Sequence, residues 1–309
     1  MMSWVELAFE TTPLQAESIS ERLFHLGALA VTFYDQGDNP ILEPNPGETP
    51  LWGKVRCVGL FEKDTKFLAL KKALAATLET PITEKLISDQ NWVDSFKEHF
   101  KPMQFGPNLW ICPTNTAPTA QDAITVTLEP GLAFGTGTHP TTKLCLEWLA
   151  KHPPKLLTVI DYGCGSGILA LAALALGAKT VLAVDHDPQA ITSTQNNLKL
   201  NNKSDPLKTY LPQDLPKISS DLILANILAN PLITLAPIFA DLIKTDGTIL
   251  LTGILEGQQE AILKAYAPWF SFMPIIRLQE WVLLVGTRKT SQAQDVIQTP
   301  ISDSEVRHD

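Results

Sequence analysis

Residues 158–167 read Thr158-Val159-Ile160-Asp161-Tyr162-Gly163-Cys164-Gly165-Ser166-Gly167, and residues 168–176 continue as an uninterrupted apolar stretch. This order predicts a buried strand, a glycine turn and a helix, because glycines permit positive φ angles and let the backbone approach a ligand closely. The start of such a helix presents free backbone N–H groups. The stretch therefore predicts a nucleotide-type binding site in a doubly wound α/β fold.

Two ligand classes fit this turn. Gly165 opens a G-x-G-x-x-A pattern, and Asp185 follows it by twenty residues, as in dinucleotide-binding dehydrogenases. Asp161, however, ends the strand where its carboxylate would pair with an amino-acid ammonium group and would repel a pyrophosphate. Asp185 ends the next predicted strand and can accept hydrogen bonds from both ribose hydroxyls of an adenosine. The two acids favour S-adenosylmethionine. A nicotinamide-dependent dehydrogenase, and a binding module without catalytic activity, remain the alternatives.

The part of the chain around this turn alternates short apolar strands with helical stretches, which predicts a mostly parallel sheet over residues 131–289. Two closely spaced strands at its end predict an antiparallel hairpin. The predicted strands lie at 157–161, 180–185, 207–211, 221–225, 248–252, 272–278 and 280–287.

The first 90 residues follow a different plan. Strands at 4–10, 30–34, 54–62 and 83–88, with helices at 14–26 and 65–78, give the order β-α-β-β-α-β of a ferredoxin-like α+β domain. This segment carries 8 basic and 13 acidic residues, so direct binding to nucleic acid is not expected. Residues 91–130 are rich in aromatics and proline and are interpreted as a linker that packs partly on a domain. Residues 290–309 are polar and predicted to be a disordered tail.

The composition is that of an ordinary soluble protein. The net charge is −9, with 45% hydrophobic residues and four cysteines. No cysteine forms a C-x-x-C pair, and no histidines complete a metal site, so we expect reduced interior thiols, no metal and a cytoplasmic location. The sequence has neither a basic leader nor a membrane-length apolar run.

Two segments flank the predicted cofactor turn. The glycine- and threonine-rich segment from Leu128 to Thr142 precedes a helix at 143–151 and is interpreted as a rim or lid, with Pro140 suited to the first helical turn. His139 lies in it and is a candidate general base, with a structural role as the alternative.

Asn226 follows the fourth strand of the parallel sheet, where ligands bind. It is placed like the first residue of the N-P-P-Y motif of amine methyltransferases, although Ile227, Leu228 and Ala229 replace the last three residues. Without the aromatic residue, an aliphatic amine is favoured over a flipped base as the substrate. The alternative for Asn226 is a helix N-cap, which Asn230 fits better.

Taken together, these motifs resemble the bacterial methyltransferases of large-subunit ribosomal protein L11, over about residues 3–289. The resemblance rests on the segments 130–142, 161–167 and 226–229 and on Glu280-Trp281. It departs in the linker, where Asn91-Trp92 and Phe96-Lys97 replace the D-W and W-K pairs frequent in the family. Because the aromatics are kept, this departure concerns the packing between the domains and leaves the chemistry untouched.

The resemblance implies a Rossmann-like, seven-stranded class I methyltransferase domain preceded by a small substrate-recognition domain. It implies methylation of lysine side chains and of the N-terminal α-amine of ribosomal protein L11, free or on the ribosome, without membrane association. It places Thr142, Gly163, Asp185 and Asn226 at the cofactor, and Asn226 also orients the substrate amine. Further cofactor-binding candidates are Asp161, Gly165, Phe134 and Thr141.

Overall fold

The computed structural model describes residues 3–37, 41, 50–62, 70–72, 74, 80–88, 101–114, 116–118, 120–129, 137–202 and 206–290. The chain divides into two compact units, Met1–Ser95 and Phe96–Asp309. Among the helices within the described ranges, none has the length and apolarity needed to cross a membrane.

The first unit is built on a four-stranded antiparallel sheet with the order β2-β3-β1-β4. This is the strand order of the split βαβ plan predicted from the sequence. Its elements are β1 (Ser3–Thr11), α1 (Pro13–His25), β2 (Ala30–Asp35), β3 (Val55–Glu62) and β4 (Thr83–Ser88).

Alternate residues of β1 point to one face of this sheet. Val5, Leu7 and Phe9 are buried there in a core that includes Leu23 of α1 and Phe61 of β3. The period of two therefore buries one face of the strand. Of the second predicted helix, at 65–78, residues 70–72 and 74 are described, and they are helical. The rest of that prediction lies outside the described residues.

The second unit begins with a small sheet inside the predicted linker. Its strands are β5 (Met103–Phe105), β6 (Leu109–Pro113) and β7 (Ile124–Leu128), in the order β5-β6-β7. Leu109, Ile111 and Val126 are almost fully buried in the core of the second unit. Over 101–129 the structure adds three strands, which the sequence did not predict, to a segment expected to pack partly on a domain. Strands of three to five residues, interrupted by proline, carry too little periodicity to be recognised without the surface they pack on. Residues 91–100, 115, 119 and 130 of the predicted linker lie outside the described residues.

The main sheet of this unit confirms the predicted doubly wound fold. Seven strands follow one another in the order β10-β9-β8-β11-β12-β15-β13, and β14 pairs with β15 as an eighth. The pairing is parallel from β10 to β12 and antiparallel beyond it. The strands are β8 (Thr158–Tyr162), β9 (Thr180–Val184), β10 (Leu207–Tyr210), β11 (Ser220–Asn226), β12 (Ile243–Leu255), β13 (Phe270–Phe272), β14 (Ile276–Leu278) and β15 (Trp281–Arg288).

Helices cover both faces of the sheet. They are α2 (Pro140–Lys151), α3 (Ile168–Ala175), α4 (Pro188–Leu200), α5 (Ala229–Leu242) and α6 (Gln259–Tyr266). Neighbouring residues of the central strands enter different cores, as Val159 and Ile160 do. This explains why these strands read as continuous apolar runs. The order reverses between β8 and β11, which opens a crevice at the carboxyl ends of these two strands.

One strand prediction is wrong. In place of one strand at 272–278, two short strands, β13 at 270–272 and β14 at 276–278, both pair with β15. Pro274 lies between them, and proline cannot donate the backbone hydrogen bond that a continuous strand requires. All four cysteines are buried and free, as the sequence predicts.

Candidate active site

The turn after β8 is shaped by three glycines with positive φ angles, Gly163 at 83°, Gly165 at 54° and Gly167 at 79°. The backbone N–H groups of Gly163 and Cys164 donate to the carbonyl oxygen of Val184, at 2.7 and 3.0 Å. The turn is thereby tied to the end of β9. A Cβ at Gly163 would overlap Cγ2 of Ile227, so this glycine is required by close packing as well as by its φ angle.

Asp161 lies in β8 and is 1% exposed. Its Oδ2 accepts a hydrogen bond from the backbone N–H of Ala170 at 2.9 Å. Ala170 is in the first turn of α3, whose N-cap, Gly167, has no side chain to accept such a bond. The carboxylate of Asp161 therefore supplies the acceptor that the glycine N-cap lacks.

The other carboxylate oxygen of Asp161, Oδ1, is buried and has no hydrogen-bond partner within the described part of the chain. Burial raises the pKa of Asp161 from its ordinary value of 3.8 to about 7, the Ala170 N–H lowers it, and the Asp185 carboxylate raises it. A buried oxygen without a donor is costly. An ammonium group bound at this oxygen would remove that cost, which fits the amino-acid end of S-adenosylmethionine.

Asp161→Asn tests this cost. Asparagine keeps an acceptor for Ala170 but carries no charge. Because the folded-state pKa is raised, the folded protein binds more protons than the unfolded chain between about pH 4 and pH 7, and Asp161 lowers stability progressively as the pH rises through that window. We expect the ligand-free variant to unfold with a free energy about 2–3 kcal/mol larger than that of the wild type at pH 8. The difference should shrink toward pH 4.

Urea unfolding at pH 4.5 and pH 8 measures this difference, and calorimetry measures cofactor affinity. We expect the same variant to bind S-adenosylmethionine at least about tenfold more weakly, because a neutral amide pairs poorly with an ammonium group. Equal stability of the two proteins at pH 8 would contradict the buried-charge interpretation.

Asp185 follows β9 directly and is 7% exposed. Its Oδ2 accepts from the N–H of Gly165 at 2.9 Å, and its Oδ1 accepts from the N–H of Asp187 at 3.0 Å. These two bonds fix the plane of the carboxylate. Each oxygen retains a lone pair, so the group can still accept hydrogen bonds from two ribose hydroxyls.

Asn226 is the last residue of β11 and is half-buried. Its Nδ2 donates to Oγ1 of Thr142 at 3.3 Å, and Thr142, in the first turn of α2, is 1% exposed. The next residue, Ile227, packs against Gly163. Two sequence-distant site candidates, Asn226 and Thr142, are thus brought together beside the glycine turn.

Neither asparagine considered as a helix cap has that role. Helix α5 begins at Ala229 with Leu228 as its N-cap and no side-chain capping bond. Asn230 is therefore inside the helix, and Asn226 ends the strand. This geometry leaves the amide of Asn226 available for the crevice between β8 and β11.

His139 is the N-cap of α2. Its Nδ1 lies 2.7 Å from Oγ1 of Thr141 and accepts from the Thr141 N–H at 3.4 Å. Its ring contacts that of Trp281 edge-on, with centroids 4.9 Å apart. Burial lowers the pKa of His139, and Glu280 acts in the opposite direction. A lowered pKa favours the neutral ring, which can accept at Nδ1, and makes the group a weaker base.

The role of His139 is tested by two substitutions. Asparagine is one of the best N-cap residues but cannot act as a base near neutral pH. Alanine can neither cap the helix with its side chain nor act as a base. If capping is what matters, we expect His139→Asn to keep kcat within about threefold of the wild type. His139→Ala should lose about 1 kcal/mol of stability and more activity. Chemical denaturation and the pH–rate profile distinguish the outcomes, since equal loss of activity in both variants would indicate a base.

Helix α4 adds residues that motif reasoning missed. Thr194 is fully buried and donates to the carbonyl oxygen of Gly165 at 3.1 Å, and Asn197 donates to that of Ser166 at 2.9 Å. Polar residues on a helix normally suggest a solvated face. A signal was present in the spacing of three and four residues that separates Thr194, Asn197 and the C-cap Asn201, which places them on one side of the helix.

The predicted site residues fall into two groups. Asp161, Gly163, Gly165 and Asp185 surround the turn after β8, and Thr142 meets Asn226 at the end of β11. Thr141 is buried, and its hydroxyl lies beside Nδ1 of His139. Phe134 lies outside the described residues. The arrangement combines a buried acid with one carboxylate oxygen that has no hydrogen-bond partner among the described residues, a positive-φ glycine turn, a carboxylate held at a strand end and an amide beside them. Together these groups suit an aminoacyl-nucleoside ligand.

Comparison with known proteins identifies similar chains. A model of the ribosomal protein L11 methyltransferase (PrmA) family matches residues 3–289. The chain is 47% identical over 293 residues to the ribosomal protein L11 methyltransferase of Actinobacillus pleuropneumoniae serotype 5b (strain L20), covering 93% of this chain and 100% of that one. It is 45% identical over 291 residues to the protein of the same name from Tolumonas auensis (strain DSM 9187 / NBRC 110442 / TA 4), covering 93% of this chain and 100% of that one.

A solved structure is similar as well. The crystal structure of ribosomal protein L11 methylase from Lactobacillus delbrueckii subsp. bulgaricus has 34% sequence identity and a TM-score of 0.55. The similarity covers 62% of this chain and 100% of that one.

Proposed function

The chain belongs to the family of ribosomal protein L11 methyltransferases, and from this membership we propose that it methylates lysine side chains and the N-terminal α-amine of ribosomal protein L11. It is an S-adenosylmethionine-dependent methyltransferase. A dehydrogenase and a non-catalytic binding module, which the glycine turn alone left open, are set aside by this membership. The observation that carries the choice of an amine is the amide of Asn226 at the end of β11, beside the glycine turn.

The residues around the turn would hold the cofactor by complementary chemistry. Oδ1 of Asp161 would accept from the ammonium group, and the carboxylate of Asp185 from the ribose hydroxyls. Gly163 and Gly165 would keep the backbone close to the ligand. When bound, S-adenosylmethionine supplies a methyl group on a sulfonium that is already activated for transfer.

The amide of Asn226 would orient the incoming amine. The hydrogen bond to Thr142 restrains rotation of the amide, so that its carbonyl oxygen can accept from the substrate N–H. Positioning of this kind supplies a large part of the rate when the donor is already reactive. In this scheme the amine loses its proton to water or a nearby acceptor before it enters.

Deprotonation is a real cost for lysine, whose ordinary pKa is about 10.4. A less polar channel would lower that value. The neighbours of Asn226 along the chain, Ile227, Leu228 and Ala229, are all apolar. A protein base is not required, and His139 is better supported as a helix cap by its contacts with Thr141.

The first unit would recognise the ribosomal protein, free or on the ribosome. Its segment 1–90 has 13 acidic and 8 basic residues, which suits a protein partner better than a phosphate backbone. We place the reaction in the cytoplasm, where ribosomal proteins are made.

The function is tested by incubating the enzyme with S-adenosylmethionine labelled on its methyl group and with ribosomes and free ribosomal proteins from cells that lack this activity. We expect label in ribosomal protein L11 only, and peptide mass spectrometry should assign it to lysines and to the α-amine. Label in RNA alone would overturn the amine proposal. Label in L11 at side chains other than lysine would overturn the finer assignment and leave the family membership intact.

A further inference from the structure

Asn197 of helix α4 and Asn201, the C-cap of that helix, lie about one turn apart, and both side chains bond to backbone elsewhere in the chain. Asn197 is 2% exposed. Its Nδ2 donates to the carbonyl oxygen of Ser166 at 2.9 Å, and its Oδ1 accepts from the N–H of Glu129 at 3.0 Å. One side chain therefore bridges the glycine turn and the residue that follows β7.

Asn201 continues the same bridge. Its Oδ1 accepts from the N–H of Thr127 at 2.9 Å, and its Nδ2 donates to the carbonyl oxygen of Thr127 at 2.7 Å. The same Nδ2 also contacts the carbonyl oxygen of Asn197 at 2.7 Å. The side chain thus pairs with β7 as an additional strand residue would, through one donor and one acceptor.

The side chain of Asn197 joins two parts of the second unit that are far apart in the sequence. Ser166 lies between Gly165 and Gly167 in the turn. Glu129 directly follows β7. When its carbonyl oxygen is held toward α4, the Ser166 peptide group cannot rotate freely, and the following N–H groups keep one orientation.

We propose that Asn197 is a positioning residue for cofactor binding, which couples the glycine turn to Glu129 at the end of β7, with Asn201 anchoring β7. The inference rests on the proposed use of S-adenosylmethionine. The side chain of Asn197 bonds to Ser166 and Glu129, whereas the proposed amine-orienting amide of Asn226 bonds to Thr142. The contribution of Asn197 is therefore to pre-organise the binding site. A contribution of this kind changes binding of the cofactor and leaves the methyl-transfer step unaffected.

The test compares Asn197→Ala with a matched control on the same helix. Gln195 is exposed, and its Nε2 donates to Oγ1 of Thr209 at 2.8 Å, so Gln195→Ala also deletes a side-chain hydrogen bond of α4 but away from the site. Calorimetry gives the Kd of S-adenosylmethionine for each protein. Steady-state rates with ribosomal protein L11 give kcat and both KM values.

We expect Asn197→Ala to raise the Kd and the KM of S-adenosylmethionine about tenfold, with kcat at saturating cofactor and the KM of the protein substrate within about twofold of the wild type. Gln195→Ala should match the wild type in all four quantities. Asn201→Ala should raise the Kd by about threefold, because only the β7 side of the bridge is lost.

Asn197→Asp covers the possibility that the alanine variant does not fold. Aspartate keeps the shape and the acceptor for the N–H of Glu129 but, when ionised, has no donor for Ser166. A Kd equal to that of the wild type in a folded Asn197→Ala or Asn197→Asp protein would overturn the inference, and so would a fall in kcat without a change in Kd. If the wild type itself does not bind S-adenosylmethionine, the proposed function fails instead, so the two failures are distinguishable.

Discussion

Asn226→Ala is expected to lower kcat by about 100-fold or more while the Kd of S-adenosylmethionine changes by less than about fivefold. The amide lies at the end of β11, and its Nδ2 donates to Oγ1 of Thr142 at 3.3 Å. Removing it leaves the methyl donor in place but takes away the group that would orient the amine. Misplacement of a reacting atom by about 1 Å can cost about 100-fold in rate.

Thr142 provides matched controls for this prediction. Thr142→Ser keeps the hydroxyl that restrains the amide and should retain most of the activity. Thr142→Val keeps the shape but removes the acceptor, and we expect an intermediate loss of kcat. Single-turnover rates and calorimetric Kd values measure the two effects separately. If Asn226→Ala lowers kcat and raises Kd by equal factors, the residue holds the cofactor and does not orient the amine.

Gly253→Ala should lower kcat/KM by about 100-fold or more, although residue 253 belongs to none of the motifs found in the sequence. Gly253 lies in β12 with a φ of 83°. A Cβ there would overlap the carbonyl oxygen of Ile227 and lie 2.8 Å from its carbonyl carbon and 3.1 Å from its nitrogen. These are backbone atoms and cannot turn away as a flexible side chain can.

The displacement would be transmitted to Asn226, because the N–H of Ile227 donates to the carbonyl oxygen of Thr252 at 3.2 Å. We also expect the free energy of unfolding to fall by about 1–3 kcal/mol, from the positive φ and the overlap. Urea denaturation and steady-state rates measure both quantities.

Gly257→Ala is the control. Gly257 follows β12 in the same part of the chain, and a Cβ there would meet nothing within 4 Å. Its unfolding free energy should stay within about 0.5 kcal/mol of the wild type, with unchanged kinetics. If Gly253→Ala has the same unfolding free energy and kinetics as Gly257→Ala, the position of the Ile227 backbone does not depend on the absence of a side chain at residue 253.

Much of the fold could be predicted because its signals are local. The apolar strand, the glycine turn and the apolar helix at 158–176 are consecutive, and each depends on the φ preference or the burial of residues within a few positions. The predicted positions of β4, β9 and β10 agree with the structure within one residue at either end. The small sheet at 103–128 escaped prediction because its short strands acquire their burial only from the core of the second unit.

The α/β alternation, the resemblance to ribosomal protein L11 methyltransferases and the chemical types of the residues at the two strand ends can all be predicted from the sequence. How those residues act depends on contacts that exist only in the folded chain. Asp161 caps α3 through Ala170, and Asn197 joins Ser166 to Glu129, which lies 68 positions from Asn197 in the sequence. A Cβ at Gly253 would overlap the backbone of Ile227, the residue after the end of β11. These contacts could not be predicted, because periodicity and φ preferences act between neighbours in sequence, whereas hydrogen bonds and overlaps between distant segments exist only once the chain has folded.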